Sequence, residues 1–390
     1  MHQVRRDTPA VSKKLHFNNA GASLMPSPVV DAIIKHLKLE ANEGGYEAAE
    51  HQKDALEGFY NSISTLIGSE SSNIAFTSSA TNAYARALSC IPFQEGDNIV
   101  IANEDYISNQ FAFLSLSKRF GTKLLRARSL ESGGVDLQHM MELISEHRPK
   151  LVSLSHVPSN TGLVQPIEAL GKFCKSEGIL FLVDACQSIG QLPVDVNDIP
   201  CDFLCATMRK FLRGPRGAGF LYVSDSVLNS ELEPLFIDLR GANWLSTNKY
   251  EARNDAKRFE DWEMPHALVL GSKVAASYAS TIGIGHIEER NMQLCKLVRQ
   301  GIEGLGKMKL LDKGERLSSI ITVAIDGIEP STLLQKLRDK NINTSIGYKN
   351  FALPDFAAKN VDWALRISPH YYNTEEEIET LIKSLDEIVN

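Results

Sequence analysis

Short stretches of the chain at 179–183, 203–206 and 220–223 are apolar at nearly every position and are bounded by glycine, proline or acidic residues. Continuous apolar runs of that length predict strands buried on both faces. Similar runs stand at 74–77, 99–102 and 151–154. Between them, 28–42, 47–67, 136–147 and 167–176 repeat apolar residues at three- and four-residue spacing, which predicts helices with one buried face. Alternating strand and helix predicts an α/β fold with a mainly parallel sheet. After 223 the pattern loosens. Helical spacing returns at 265–282 and 286–306, followed by a strand at 320–325, a helix at 330–339, short strands near Ile342 and at 364–367, and a helix at 374–389. That second pattern predicts a smaller α+β domain. The expected division is an arm at 1–20 that joins the small domain, a large domain at 21–265 and a small domain at 266–390.

Composition narrows the function without naming it. The 390 residues are 43% hydrophobic and 23% charged, ordinary for a globular protein, and the net charge of −7 comes without any basic block. Nucleic acid is therefore not an expected partner, and a small molecule is. No apolar run reaches membrane-spanning length and MHQVRRDTPA lacks an apolar signal core, so no membrane partner and a cytoplasmic location are expected. The six cysteines lie mostly in apolar segments, without Cys-x-x-Cys or a nearby histidine, so buried thiols and no metal are expected. Neither G-x-G-x-x-G nor a P-loop pattern follows a predicted strand, which disfavours a nucleotide-dependent enzyme.

The chemistry concentrates at strand ends. Asp184 closes the 179–183 run, and Lys210 follows shortly after the 203–206 run. In an open α/β sheet both are offered to the crevice outside the carboxyl ends of the strands. Such a pair is either a salt bridge or the two ends of a cofactor. Pyridoxal 5′-phosphate needs an amine for its aldehyde, an anion for its ring nitrogen and donors for its phosphate. Lys210 and Asp184 meet the first two needs, and Arg209 meets part of the third. Ser79-Ala80-Thr81 opens a helix just after the 74–77 strand, where free N–H groups favour an anion, although serine and threonine there are also ordinary caps.

Asp184-Ala185-Cys186-Gln187 and Thr207-Met208-Arg209-Lys210, followed by Gly214, Gly217 and Gly219, resemble the Asp-x-x-Gln and Ser-x-His-Lys patterns of the class V aminotransferases. That family includes cysteine desulfurases, selenocysteine lyases and isopenicillin N epimerase. Arg366-Ile367-Ser368 with Tyr372-Asn373-Thr374 is similar to the family's carboxylate-binding run. The resemblance extends from Asn19 to Asn373. It implies the fold-type I architecture of pyridoxal 5′-phosphate-dependent transferases, with a mainly parallel seven-stranded sheet, a smaller α+β domain and a homodimer whose active site lies at the interface.

The resemblance also implies roles. Lys210 is the catalytic and cofactor-binding lysine, Asp184 faces the ring nitrogen, and Gln187 faces the phenolic oxygen. Thr207, Arg209, Thr81, Ser79 and Ala80 hold the phosphate. Tyr106 stacks on the ring where relatives often have histidine, Asn160 lies near both cofactor and substrate, and Asn19 and Arg366 contact an amino-acid substrate. Two departures are visible: Arg258-Phe259-Glu260 leads to Glu263 where relatives have a threonine that reaches the cofactor phosphate of the neighbouring subunit, and no cysteine occurs from Lys296 to Asn390. A desulfurase needs a mobile thiolate shortly before the carboxylate-binding arginine. The expected reaction is therefore carbon–sulfur β-elimination from a cysteine derivative without a persulfide-forming cysteine, with transamination or epimerisation as alternatives. A non-catalytic scaffold of the same fold has no need for a Schiff-base lysine.

Overall fold

The computed structural model describes residues 2–390. Seven strands form the large sheet: β1 (Ile74–Thr77), β2 (Asn98–Ile101), β3 (Lys123–Arg126), β4 (Leu151–Ser155), β5 (Leu180–Asp184), β6 (Phe203–Thr207) and β7 (Gly219–Val223). Their order is β1-β7-β6-β5-β4-β2-β3, and only β7 runs against its neighbours. The expected α/β architecture with a mainly parallel seven-stranded sheet is what the chain forms.

Alternation along the central strands explains why these runs are apolar throughout. Phe181 and Val183 of β5, Leu204 and Ala206 of β6, and Phe220 and Tyr222 of β7 enter one core. Leu182, Phe203, Cys205, Leu221 and Val223 enter the core on the opposite face. Successive side chains point to opposite faces, so a sheet covered on both sides has no solvent-facing position to make polar. Helix α1 (Ser27–Glu43) and helix α2 (Lys53–Ile67) lie over the first face. Phe59, Tyr60, Ile63 and Ile67 are the buried stripe of α2, which stops where Gly68 turns left-handed at φ 69°. The helix expected at 47–67 is broken at Gln52, with a separate turn of helix at Gly45–His51.

The second region contains a four-stranded antiparallel sheet, built from β10 (Met308–Leu310), β11 (Ile321–Ile325), β12 (Ser345–Tyr348) and β13 (Trp363–Ile367) in the order β10-β11-β13-β12. Before it, an exposed hairpin is formed by β8 (Ala242–Ser246) and β9 (Lys249–Ala252). Helix α3 (His266–Ile282) packs against α1 and α2, and its Val269, Ala275, Ala276 and Ala279 belong to the first core. The following helix α4 (Ile284–Glu303) contributes Ile287 to that core but Leu294, Cys295, Val298 and Ile302 to the core of the small sheet. The change of core thus falls within α4 and not at 265/266, because α3 buries its apolar face against the large sheet's helices. Helix α5 (Glu375–Val389) closes the small sheet through Ile378, Leu381, Leu385 and Ile388, and begins with a reciprocal Thr374–Glu377 capping box.

The N-terminal segment is stitched to this second region. Leu15–His16 pairs in parallel with Ile342–Asn343, and Phe17 is fully buried in the small sheet's core. Arg213, itself 1% exposed, then joins both chain ends to the large sheet: it donates to Leu24 O, Tyr371 Oη and Thr8 Oγ1, and its guanidinium lies 4.5 Å from the Tyr372 ring centroid. Among the described residues no single helix is long and apolar enough to cross a bilayer.

Candidate active site

A cavity of about 270 Å³ opens outside the carboxyl ends of β4, β5 and β6. Ser79, Ala80, Thr81, Tyr106, Asp184, Gln187, Thr207, Arg209 and Lys210 all line it, so one space gathers most of the residues singled out in the sequence. The sheet explains the gathering. Asp184 is the last residue of β5, Thr207 the last of β6, and the turn 78–80 links β1 to the helix Ala80–Ser89.

Lys210 is the amine of the site. It is 8% exposed and makes no ion pair within 4.0 Å among the described residues. Burial pushes its pKa below the ordinary lysine value, and the nearby Arg209 and Arg366 push in the same direction, against Cys186 and Asp184. A neutral amine is the nucleophile, so this environment keeps Lys210 reactive at lower pH than free lysine, whose pKa is about 10.4. Uptake of pyridoxal 5′-phosphate by apoprotein, followed by absorbance, is expected to plateau below that pH. A rate that keeps climbing through pH ~10, as for free lysine, contradicts the depressed pKa.

Asp184 is 6% exposed and its carboxylate is oriented from two sides. Asn109 Nδ2 donates to Oδ2 at 2.8 Å, and the Cys186 backbone N–H donates to Oδ1 at 2.9 Å. Asn109 is in turn held by Asp105 Oδ1, which also accepts from Ser155 Oγ at 2.6 Å. Burial raises the Asp105 pKa, opposed by the donors from Ser155 and Asn109. The four-residue spacing of Asp105 and Asn109 is the sequence signal for this supporting set.

The anion corner is built from a helix start and two arginines. Ser79 Oγ accepts from the Asn82 backbone N–H at 3.1 Å, the ordinary cap, which leaves its hydroxyl proton free. The N–H groups of Ala80 and Thr81 open the helix beside it. Gly219 permits the close approach: a Cβ there would lie 2.9 Å from Ala80 N and 2.7 Å from Ala206 O. Arg209 lines the cavity and donates Nη1 to Gly21 O, while Arg216, not singled out in the sequence, adds a second guanidinium.

Two of the expected contacts differ. Asn19 is fully buried and committed: its Nδ2 donates to Ser368 O at 2.7 Å and its Oδ1 accepts from Tyr372 Oη at 2.6 Å. It fastens the N-terminal segment and does not line the cavity. The arm touches the site through Ala20 O, which accepts from Gln187 Nε2 at 3.1 Å. Asn160 does not line the cavity, because its Nδ2 is turned to Asp355 Oδ2 at 2.8 Å. Glu263, which stands where relatives have a threonine, lines a different groove with Trp262. Glu260 itself is buried, paired with Arg240 Nε at 2.5 Å and hydrogen-bonded by Tyr60 and by the Phe76 N–H.

Arg366 stands beside the cavity on β13. Its donors reach only neutral oxygens: Ser345 Oγ at 3.1 Å, Ser159 O at 3.0 Å and Asn18 Oδ1 at 3.5 Å. Burial, then Arg209, lower its pKa to about 10. A cation without a counter-ion in such surroundings favours an anionic visitor.

These groups fit pyridoxal 5′-phosphate: an unpaired amine, an oriented carboxylate, a helix start with two cations, and a buried Gln187 Oε1 that has no hydrogen-bond partner. A sequence profile of the family described as aminotransferase class-V matches residues 15–381. A "Probable cysteine desulfurase" of Pyrococcus abyssi is 30% identical over 99% of this chain and 97% of its own length. The apo structure of a cysteine desulfurase from Thermococcus onnurineus superposes with a TM-score of 0.92 at 26% identity, covering 100% of this chain and 98% of the other. A cystine C–S lyase, C-DES, solved with its product cysteine persulfide, has a TM-score of 0.87 at 21% identity over 97% and 99% of the two chains, a likeness of fold alone. Match and geometry agree: the chain belongs to the aminotransferase class-V family, with its fold-type I architecture, and is a pyridoxal 5′-phosphate-dependent enzyme.

Proposed function

We propose that the protein cleaves a carbon–sulfur bond in cysteine or a β-substituted cysteine derivative by elimination, without carrying sulfur on a cysteine of its own. The observation that carries this reading is the placement of the thiols. No cysteine occurs from 296 to 390, so the segment before Arg366 offers none. Cys90, Cys174, Cys201, Cys205 and Cys295 are buried away from the cavity. Cys186 alone of the six lines it, on the turn after β5. Burial, then Asp184, push that thiol's pKa far up, which opposes the thiolate that sulfur transfer needs.

The bound cofactor supplies an electron sink for the pair left on the substrate's Cα. Asp184, fixed by Asn109 and the Cys186 N–H, supplies the negative charge that keeps a ring nitrogen protonated. Lys210 would take the Cα proton, and the β-sulfur would then depart with its bonding pair. Ser79, Thr81, Thr207 and the two arginines hold the phosphate, and Tyr106 offers a flat face 5.8 Å from Lys210 Nζ. Arg366 holds the substrate carboxylate with two parallel hydrogen bonds. Arg366→Lys keeps the charge and loses the fork, so kcat/KM is expected to fall about 10–100-fold, or about 1.4–2.7 kcal/mol, mainly through KM. An unchanged KM contradicts that assignment.

We further infer a homodimer. Trp244 and Phe236 are 80% and 79% exposed, and Leu239, Leu245 and Tyr250 lie with them on or beside the β8–β9 hairpin. Large apolar side chains left exposed together within residues 236–250 support burial against a second copy. Sedimentation of the Trp244→Glu variant tests it: dissociation to monomer is the expected result, and an unchanged mass contradicts the hairpin's role.

A further inference from the structure

The strongest feature outside the cavity is a cluster of His36, Glu40 and His266. His36 and Glu40 stand one turn apart on α1, and His266 is the first residue of α3, which packs across α1. Their ligand atoms all lie within 4.8 Å of one another. His36 is 2% exposed, yet neither ring nitrogen has a hydrogen-bond partner. Nε2 does lie 3.0 Å from Glu40 Oε1, but out of line for an N–H···O hydrogen bond. A buried imidazole without a partner is costly, and a partner is what the cluster lacks.

We propose that His36, Glu40 and His266 bind a divalent transition-metal ion, Zn²⁺ by the character of the donors. Two imidazoles and a carboxylate suit Zn²⁺ far better than the oxygen-preferring Ca²⁺ or Mg²⁺. Bonds of about 2.0–2.2 Å require ligand atoms roughly 3.4 Å apart, and the present separations are all within 4.8 Å. Glu40 and His266 also line a groove of about 710 Å³, so the fourth coordination position faces solvent or a small ligand there. The groove's charge leans towards a cation: Glu50 and Glu263 line it against Lys53, while Arg240 and Glu57 there are already paired with Glu260 and Lys257. The ion staples α1 to the segment 261–265 that leads into α3, and with it Trp262 and Glu263. His36 lacks an acceptor on its other ring nitrogen, a feature worth about 10–100-fold in affinity, so the site is looser than a fully built one. The sequence alone concealed it because the third ligand lies far along the chain.

The test is titration of chelator-treated, cofactor-loaded enzyme with Zn²⁺, by calorimetry, and with Co²⁺, by its visible absorption. One equivalent per chain is expected, with a thermal midpoint raised by about 2–4 °C at saturation. His266→Gln and Glu40→Gln should each weaken binding at least about tenfold, with the cofactor absorption unchanged as the check on folding. Absence of binding to the wild-type enzyme overturns the proposal. So does stoichiometric binding that both variants retain, which would place the metal elsewhere.

Discussion

Replacing Lys210 by alanine is expected to lower turnover by at least about a thousandfold while leaving the fold intact. Lys210 is the one lysine lining the cavity, so no other lysine lies ready to replace it. It is asked to do two things, to hold the cofactor's aldehyde carbon and to move the substrate's Cα proton, and alanine does neither. The phosphate corner does not depend on it: Ser79, Thr81, Arg209 and Arg216 remain. The variant should therefore still bind cofactor, reversibly and without the covalent bond that borohydride reduction would trap in the wild type. Added methylamine should restore part of the activity. Wild-type turnover in Lys210→Ala contradicts the assignment.

The largest effect on stability is expected at Arg213. Arg213→Leu removes donors to Leu24 O, Thr8 Oγ1 and Tyr371 Oη and the cation between Tyr372, Tyr371 and Tyr278. Buried acceptors are left unpaired and a leucine fills only part of the volume, which costs about 3–5 kcal/mol. Three regions meet at this side chain: the N-terminal segment, the loop after Lys210 and the residues just before α5. The loss should show as a lower thermal midpoint and as faster proteolysis of the first residues. A midpoint within about 1 °C of wild type would mean that Arg213 is not the clasp the structure shows.

How far the sequence revealed the fold follows from burial. β5 to β7 are covered on both faces and read as nearly unbroken apolar runs, and β4 does so apart from its buried Ser153 and Ser155. β3 is an edge strand whose Lys123 and Arg126 face solvent, and it carries no such signal. The β8–β9 hairpin is exposed along most of its length, so its aromatic residues form no buried face to recognise. β12 contains Gly347 and is only half-buried.

The site divides in the same way. Asp184 and Lys210 were legible because strand ends fix where their side chains arrive. Asn19 and Asn160 were placed near the cavity, but sequence order does not say where an amide turns, and each turned to a structural partner. Arg216, Asp105 and Ser155 act through contacts made only after folding. In sequence Cys186 is one thiol among six, and only the fold of β5 and the turn after it puts it in the cavity wall.

Product analysis tests the central claim most directly. Cofactor-loaded enzyme is incubated with L-cysteine, L-cystine and S-alkyl cysteines, without added keto acid, and pyruvate, ammonia, alanine and protein-bound persulfide are measured. Elimination without a protein sulfur carrier predicts pyruvate and ammonia in equal amounts, with no persulfide on any of the six cysteines. Alanine formed together with a persulfide on the chain, abolished by Cys186→Ser, would contradict that account and make the protein a desulfurase that works through Cys186.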